Sequence, residues 1–237
     1  MAYHCLTQAR DAGSCRRLRG TVLFYLVFVN EPGQRWTDAE RRKVKAYFDR
    51  TAKYLMDSAR SERVGLQILR ESCQLFMKEP MAKEARERWR AGFAKARGYR
   101  DMKSLHGSLL YHHKAQEAAF IFASKRRDRS YAMQAEKDTN SYVEALTLYW
   151  DLNRQALLHE ILHLFGAEDY YYPTQVKAAA RKYFPYSVML NASSPVIDDL
   201  TKYLIGWTDQ LTPRAQAMLR DTADVSKQLV DVSRTHS

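Results

Sequence analysis

The sequence predicts an α/β domain, of the α+β kind, whose C-terminal third is mainly helical. Apolar runs of strand length alternate with amphipathic helical patterns through the first two-thirds of the chain, and helical patterns with irregular connections follow. The hydrophobic fraction of 46% is sufficient to build a core in 237 residues. The sequence contains no internal repeat, low-complexity segment or Gly/Ser linker, so we expect a single domain, 1–237.

The N-terminal part begins with a buried strand that is followed by a long helix. Thr21–Val29 is an apolar run that ends near a Pro-Gly turn, which is typical of a buried strand. Thr37 and Glu40 have the spacing of a capping box. Apolar residues then recur every three or four positions, which predicts a helix to about Ser61. A second strand is predicted at Val64–Leu69.

The middle of the chain predicts a basic helix, a shorter helix and a pair of strands. Met81–Arg97 is helical by composition, with an apolar stripe among Lys and Arg. After it, Gly107 is expected to separate a turn from a short helix at Leu109–His112. Ala118–Ala123 and Ser130–Ala135 resemble two strands, and the charged residues between them predict the tip of a hairpin.

The last third of the chain predicts four helices. The first is Leu152–Phe165, with Gly166 at the position of a left-handed C-cap. The second is Thr174–Phe184. Ser194-Pro195 and Thr212-Pro213 each place a capping residue before a proline, which favours the first helical position, and so predict two further helices.

The charge balance indicates a basic protein surface. Lys and Arg number 38 against 27 Asp and Glu, which gives a net charge of +11. Much of this excess lies in Met81–Ser130, which contains 13 Lys or Arg and 5 Asp or Glu. A surface of this kind favours anionic partners without identifying one.

Cysteine usage and hydropathy exclude several classes of protein. Three cysteines, none of them in a CxxC pair, exclude a disulfide-stapled secreted module and a zinc site built from cysteines. No segment approaches the roughly 20 apolar residues of a membrane-spanning helix. Thr21–Val29 follows several arginines, but Asn30-Glu31-Pro32-Gly33 replaces the cleavage site of a signal peptide. We expect a cytoplasmic protein, or one exported without a recognisable signal peptide.

The segment with the clearest chemistry reads HEILHLFGAED and begins at His159. Residues four apart lie on one face of a helix, so His159 and His163 can present imidazole nitrogens to one metal ion. Glu160 can hold a water and accept its proton. Gly166 permits a backbone conformation that other residues rarely adopt, and the resulting turn allows Asp169 to supply a third ligand. Three protein ligands with one open position form the arrangement of a catalytic zinc site.

The extended spacing makes a chance occurrence of this pattern improbable. HExxH followed by Gly three residues and Asp six residues after the second His is expected by chance in roughly 1 in 40,000 chains of this composition. The alternative is a helix with two ordinary half-buried histidines. The spacing therefore favours a metal site over that alternative.

The segment resembles the signature of the metzincin zinc metallopeptidases, HExxHxxGxx followed by His or Asp, in its Asp-ending form. Metzincins also contain a tight turn, usually Ser-x-Met, that places a methionine beneath the metal. Ser187-Val188-Met189 has this form, and its methionine lies 20 residues after Asp169. A helix follows the turn in metzincins, and Ser194–Gly206 is similar. The resemblance covers roughly Leu152–Gly206 by motif.

The resemblance implies a fold and an activity. The fold would be metzincin-like, with a mixed twisted sheet and long helices in an N-terminal subdomain, 1–166, and a mainly helical C-terminal subdomain, 167–237. The activity would be that of a zinc metalloendopeptidase acting on protein or peptide substrates. In metzincins an extended peptide pairs with an edge strand above the zinc helix, and Ser130–Ala135 is the candidate for that edge.

The resemblance also implies a role for each residue of the motif. His159, His163 and Asp169 would bind one catalytic Zn²⁺ ion. Glu160 would act first as general base and then as general acid. Met189 would form the floor of the site, whereas by residue type alone it would be an ordinary core methionine.

The chain departs from the family in its tyrosines and in one carboxylate. Some metzincins have a tyrosine two residues after the methionine, where this chain has Asn191. Tyr170 and Tyr186 are the candidates for a tyrosine that assists the metal or the oxyanion, with Tyr171 and Tyr172 also near in sequence; any one of them can instead be a packing aromatic. Glu168 is a candidate for supporting the ligands, or for competing with the neighbouring aspartate as third ligand.

The alternative function is a basic binding module. The basic segment Met81–Ser130 is interleaved with Trp89, Phe93 and Tyr99, a combination that can bind nucleic acid or an acidic protein surface. The sequence has no recognised nucleic-acid motif, and basic helix faces are commonly only solvated.

Other histidines and cysteines give weaker signals. Cys73 is expected to be a small core residue. An N-terminal cysteine can inhibit a metallopeptidase by binding its zinc, and Cys5 or Cys15 could do so, although neither has a supporting motif. Solvated or hydrogen-bonded side chains, rather than metal ligands, are expected of the remaining clustered histidines, which are His106, His112 and His113.

Overall fold

Five strands form one mixed sheet with helices on both faces, in a computed structural model that describes residues 6–79, 86–126, 129–133, 143–149 and 154–234. This architecture confirms the predicted α+β class. The strands are β1 (Gly20–Asn30), β2 (Leu66–Phe76), β3 (Glu117–Ser124), β4 (Tyr131–Met133) and β5 (Ala145–Tyr149). The described helices are α1 (Asp38–Ser61), α2 (Arg86–Ala96), α3 (Met102–His113), α4 (Arg154–Leu164), α5 (Thr174–Tyr183), α6 (Asp199–Leu204) and α7 (Pro213–Arg234).

The sheet is mostly parallel and ends in one antiparallel edge strand. Its order is β2-β1-β3-β5-β4. The first four strands in this order run parallel to one another, and β4 pairs antiparallel with β5. Parallel strands require cover on both faces, which the helices supply. The short strand β4 therefore lies at the edge of the sheet, next to β5.

Strand β1 shows how the sheet separates two hydrophobic cores. Successive side chains of a strand point to opposite faces, and all of β1 from Val22 to Asn30 is buried. On one face, Phe24 packs against Phe48 of α1 and against Phe165, with ring centroids 5.6 and 6.4 Å apart. On the other face, Tyr25 packs against aromatic residues of α2 and β3. Helix α4, which includes the histidine motif, lies on the first of these faces.

The capping box predicted at the start of α1 is confirmed. The Glu40 amide donates to Thr37 Oγ1 at 3.2 Å, and the Thr37 amide donates to the Glu40 carboxylate at 2.8 Å. These bonds satisfy two of the free amides that open a helix. The helix ends at Ser61, as predicted, and buries Val44 and Leu55 among its apolar face.

The strands differ from the sequence prediction in three places. The second strand begins only after Gly65 and continues to Phe76, beyond the predicted Val64–Leu69. The predicted hairpin is wrong, because β5 lies between β3 and the following strand, so β4 pairs with β5 instead. No strand was predicted at Ala145–Tyr149, because its five residues are all buried and lack the alternation of a half-buried strand. The end of the predicted Ser130–Ala135 strand lies outside the described residues.

Two helix predictions are also wrong. Gly107 does not interrupt a helix but lies inside α3, which is continuous from Met102. The helix expected from Ser194-Pro195 begins at Asp199, because Val196 forms a parallel bridge with Ser187 and keeps the preceding chain extended. The helices at Thr174 and Pro213 begin where they were predicted. The first residues of the predicted Met81–Arg97 and Leu152–Phe165 helices lie outside the described part of the chain.

In the described part of the chain, no helix combines the length and the apolar character that crossing a membrane requires.

The buried His106 on α3 predicts an acid-sensitive fold. Its ring packs against Phe120, its Nε2 atom has no hydrogen-bond partner among the described residues, and burial lowers its pKa to about 4. The unfolded chain, with a histidine pKa near 6.5, therefore binds more protons between pH 4 and 6.5, so the free energy of unfolding rises with pH across that window. The full contribution is roughly 3 kcal/mol.

Urea unfolding of the wild type and of His106→Leu at pH 4.5, 5.5 and 7 measures this contribution. We expect a smaller pH dependence in His106→Leu, and the wild-type pH dependence in a control at the exposed His112, His112→Asn. Parallel pH dependence in all three proteins would show that His106 is not protonated on unfolding.

Candidate functional site

Helix α4 presents two histidines to one point. His159 and His163 lie one helical turn apart, with ring centroids 4.6 Å apart and the rings nearly perpendicular. Their Nε2 atoms are 3.1 Å apart. The opposite side of the helix is fixed because Ile161 and Leu162 are buried in the core beneath the sheet. The helix therefore holds both imidazoles on one side, as their spacing predicts.

A glycine turn brings a carboxylate to the same point. Gly166 has a φ of +91°, a conformation that favours glycine, and a Cβ at this position would lie 2.8 Å from the backbone oxygen of Ala9. The Ala167 amide donates to Leu162 O at 3.2 Å, which closes the end of the helix. The chain then turns back, and Asp169 Oδ1 lies 3.1 Å from the Nε2 atom of each histidine.

Backbone carbonyls determine which nitrogen of each imidazole carries its hydrogen. His159 Nδ1 lies 2.9 Å from Val188 O, and His163 Nδ1 lies 2.7 Å from Ala167 O. A carbonyl oxygen only accepts, so each Nδ1–H donates, and each neutral imidazole then has a lone pair on Nε2. Orientation of this kind is typical of metal-binding histidines.

Three hydrogen-bond acceptors therefore face one another, and a cation is the group that stabilises them. The two Nε2 atoms and the Asp169 carboxylate oxygen lie within 4.8 Å of one another. Three acceptors this close repel unless a positive charge lies between them. Nitrogen and carboxylate ligands about 2.0–2.2 Å from a tetrahedral zinc ion are themselves roughly 3.3–3.6 Å apart. The residues present thus fit a metal ion, and this group could bind one.

The protonation states of Asp169 and His163 depend on each other. Burial by itself raises the pKa of the Asp169 carboxyl, but the neighbouring imidazoles of His159 and His163, when they are protonated, and a hydrogen bond from Tyr171 hold it well below its usual value. Burial by itself lowers the pKa of His163, and the bond to Asp169 raises it above its usual value. The carboxylate is therefore ionised at neutral pH.

Glu160 lies beside the three converging side chains and is not one of them. Its side chain is buried, and its carboxylate accepts a hydrogen bond from the backbone amide of Ala132, on the edge strand β4. Burial raises the pKa of Glu160, against the opposing effect of the charges of His163 and His159. A carboxyl with a raised pKa is suited to accepting and returning a proton.

These residues line a cavity of about 360 Å³. One wall is the edge strand with the residues just before it, and the opposite wall is the motif with the turn that follows it. A volume of this order is typical of a small ligand pocket. The lining residues are Arg129, Ser130, Tyr131, Ala132, Glu160, His163, Glu168, Asp169 and Tyr171.

The turn at Ser187-Val188-Met189 lies directly behind the first histidine. Val188 supplies the carbonyl that orients His159, and the Met189 amide donates to Ser187 Oγ at 3.0 Å. Met189 is fully buried, and its carbonyl accepts the Tyr170 amide at 2.9 Å. The turn therefore joins the histidine on α4 to the segment that carries the third donor.

A buried aspartate holds this turn and that segment together. Asp198 accepts hydrogen bonds from Ser187 Oγ at 2.5 Å, from the Tyr170 hydroxyl at 3.3 Å and from Thr201 Oγ1 at 2.6 Å. It also caps α6 through the Leu200 amide. Asp198 was not predicted to have this role, although an aspartate before an apolar helical pattern is a recognisable cap signal.

The tyrosine next to the three converging side chains is Tyr171. Its ring stacks on that of His159, with centroids 6.2 Å apart, and its hydroxyl bonds to Asp169 and accepts a hydrogen bond from Arg129. The Tyr170 hydroxyl is buried in the Asp198 network, and Tyr186 is 75% exposed and does not line the cavity.

The sequence also gave no indication of two further contacts of the cavity. Arg129 was expected at a hairpin tip rather than beside the motif. The contact of the Ala132 amide with Glu160 involves a backbone group, so no residue type could have indicated it.

The weaker candidates lie elsewhere. His106 is buried against β3, and His113 lies 3.5 Å from Glu71. Cys15 is 1% exposed, and its Sγ lies 3.5 Å from Ala118 O, so it is not placed to bind a metal in the cavity. Cys5 lies outside the described residues.

Several side chains of the described basic segment make contacts within the protein. Phe93 is part of the core, and the Tyr99 hydroxyl bonds to Ser108. Lys125 pairs with Glu40 at 2.8 Å, and Arg126 with a buried glutamate at 2.6 Å. The side chain of Trp89, the third aromatic residue of the segment, lies outside the described part of the chain.

Comparisons with known proteins leave the family open. No family model matches the chain, and no curated protein matches it. Among solved structures, it is similar to metalloproteinase-II from Bacteroides fragilis, at 17% identity and a TM-score of 0.35. The match covers 76% of this chain and 48% of that one, so the chain spans about half the length of that protein. The functional assignment therefore depends on the geometry of the site.

We expect substitution of Gly166 to affect both the stability of the protein and the binding of a metal ion. Gly166→Ala places a methyl group against the backbone of Ala9 in a strained conformation, so we expect a loss of roughly 2–4 kcal/mol in the free energy of unfolding. Displacement of Asp169 should also weaken zinc binding at least about tenfold. Chemical denaturation and zinc titration measure the two effects.

Gly33→Ala is the matched control for this substitution. Gly33 also has a positive φ, of +75°, but nothing lies within 4 Å of its added methyl group. It should lose only about 1 kcal/mol and keep its zinc affinity. Equal losses in the two variants would mean that the contact with Ala9 does not position the site.

Proposed function

We propose that the protein is a zinc-dependent metalloendopeptidase of the metzincin kind, which hydrolyses peptide bonds in protein or peptide substrates. One observation carries the proposal. The Nε2 atoms of His159 and His163 and the carboxylate of Asp169 converge within 4.8 Å, and Glu160 lines the adjoining cavity without joining them. A hydrolytic metal site requires such an arrangement, in which three side chains can bind the metal and a separate carboxyl group can accept a proton.

The chemistry of the donors favours zinc as the metal. Two neutral imidazoles and one carboxylate match the ligands that zinc takes in catalytic sites, where three protein ligands leave one position open. Ca²⁺ and Mg²⁺ prefer sites made of oxygen ligands only. The hydrogen bonds from Nδ1 of His159 and His163 to carbonyls leave their Nε2 atoms as the ligands.

Glu160 is the residue that moves the proton in this proposal. When bound, zinc supplies Lewis acidity, which makes water more acidic and polarises a carbonyl group. Glu160 accepts the proton of the attacking water and then donates it to the leaving amine, so it ends the reaction ionised as it began. Its burial favours the protonated form, and the Ala132 amide holds its position.

Other residues of the cavity hold the donors and the substrate. Tyr171 bonds to Asp169 and accepts a bond from Arg129, which fixes the direction of the third ligand. The edge strand β4 is the proposed support for an extended peptide. Its Ala132 amide donates to Glu160, so a peptide on this edge would lie next to the general base.

Substitution of Glu160 tests the proposal directly. Glu160→Gln should bind one zinc ion per chain and lose hydrolysis by about 10²–10⁴-fold, because it keeps the shape of the side chain but cannot accept the proton. His163→Ala should lose both zinc and activity. Elemental analysis gives the zinc content, and digestion of a peptide library analysed by mass spectrometry gives the activity.

Glu79→Gln is the control, because Glu79 is an exposed residue outside the cavity lining. It should keep both zinc and activity. Full activity of Glu160→Gln would contradict the proposed role of Glu160, and a metal-free wild type without peptidase activity would contradict the proposed function.

A further inference from the structure

One carboxylate of the cavity has no role in the proposed reaction. Glu168 lines the cavity together with Glu160 and Asp169. It does not belong to the group of three converging donor atoms, which consists of His159, His163 and Asp169. A third carboxylate beside a ligand and a general base adds negative charge that the reaction itself does not need.

The backbone on both sides of Glu168 is anchored. Ala167 is fully buried, and its carbonyl accepts the hydrogen bond from His163. Tyr170 is also fully buried, and its amide donates to Met189 O. Glu168 lies between these anchored residues, and its partly buried side chain lines the cavity.

Within the described part of the chain, no hydrogen bond or ion pair reaches the Glu168 carboxylate. The neighbouring charges that act on it are those of His163 and Asp169. Arg129, also in the cavity lining, bonds to Tyr171 and is not among those charges. A partly desolvated carboxylate is stabilised most by a cation that donates hydrogen bonds to it.

We infer that the cavity binds a positively charged group of the substrate, an ammonium or a guanidinium, and that Glu168 is the residue that holds it. The inference rests on the proposed function and adds the class of substrate. A neutral hydrogen-bond donor fits less well, because a charged donor makes a stronger hydrogen bond to a partly buried carboxylate than a neutral one does. The cation can come from a Lys or Arg side chain near the cleaved bond or from the free amino end of a peptide.

Peptide pairs that differ by one charge test the inference. One pair is blocked at both ends and carries either lysine or acetyl-lysine, scanned through the positions around the cleaved bond. The other pair has no basic residue and carries either a free or an acetylated amino end. The wild type should prefer the charged member of one pair by at least about tenfold in kcat/KM. The pair that shows the preference identifies the source of the cation.

Glu168→Gln should reduce this ratio to about one while retaining one zinc ion per chain. The matched control Glu79→Gln, which removes the same charge from an exposed site, should keep the wild-type ratio. Equal cleavage of both members by the wild type, or an unchanged ratio in Glu168→Gln, would overturn the inference. Loss of zinc from Glu168→Gln would also overturn it, because Glu168 would then be a ligand.

A binding measurement separates this inference from the proposed function. In zinc-loaded Glu160→Gln, fluorescence polarisation of the labelled charged peptide should show binding that is about tenfold weaker once Glu168→Gln is added. Equal binding to the single and double variants overturns the inference. If the wild type cleaves no peptide, the proposed function fails, and this comparison alone decides on Glu168.

Discussion

The candidate site depends on two hydrogen bonds from imidazoles to backbone carbonyls. His159 donates through Nδ1 to Val188 and His163 to Ala167, and these bonds turn both Nε2 lone pairs toward the carboxylate of Asp169. Helix α4 sets the spacing of the imidazoles, and Ala167 lies just after the helix, but Val188, whose carbonyl orients His159, belongs to a later part of the chain. The orientation of the three acceptors therefore depends in part on tertiary structure, and a bound cation would offset the repulsion among them.

The surrounding structure prevents the three acceptors from moving apart to reduce their repulsion. Asp198 connects the turn behind His159 to the segment carrying the third donor, through Ser187 and Tyr170. Below α4, Phe165 packs on Phe24 of the central strand β1, so the helix cannot withdraw without opening the core. Movement of one donor away from the others would break buried hydrogen bonds or leave a cavity, and both are costly. The fold thus keeps the three acceptor atoms close together.

The parts of the site that could be predicted from sequence are those set by local geometry. Within His159–Asp169, helical periodicity and one glycine determine where the donors lie, so their spacing alone indicated them. The cavity wall formed by β4 depends on Ala145–Tyr149, which lies between β3 and β4 in the sheet. The charged segment that joins β3 to β4 in the sequence does not indicate this long-range pairing. Of two adjacent tyrosines, Tyr171 faces the site because Tyr170 is bound by Met189 and the Asp198 network, contacts that distant residues provide.

We propose that the three facing acceptors form a metal site with zinc as its occupant. Anomalous X-ray diffraction from crystals grown with zinc, measured on both sides of the zinc absorption edge, would locate the ion. We expect one strong peak about 2.0–2.2 Å from the Nε2 atoms of His159 and His163 and from a carboxylate oxygen of Asp169, with Glu160 and Glu168 outside ligand distance. Absence of a peak at this position at saturating zinc, or a peak coordinated by Glu168 in place of Asp169, would contradict it.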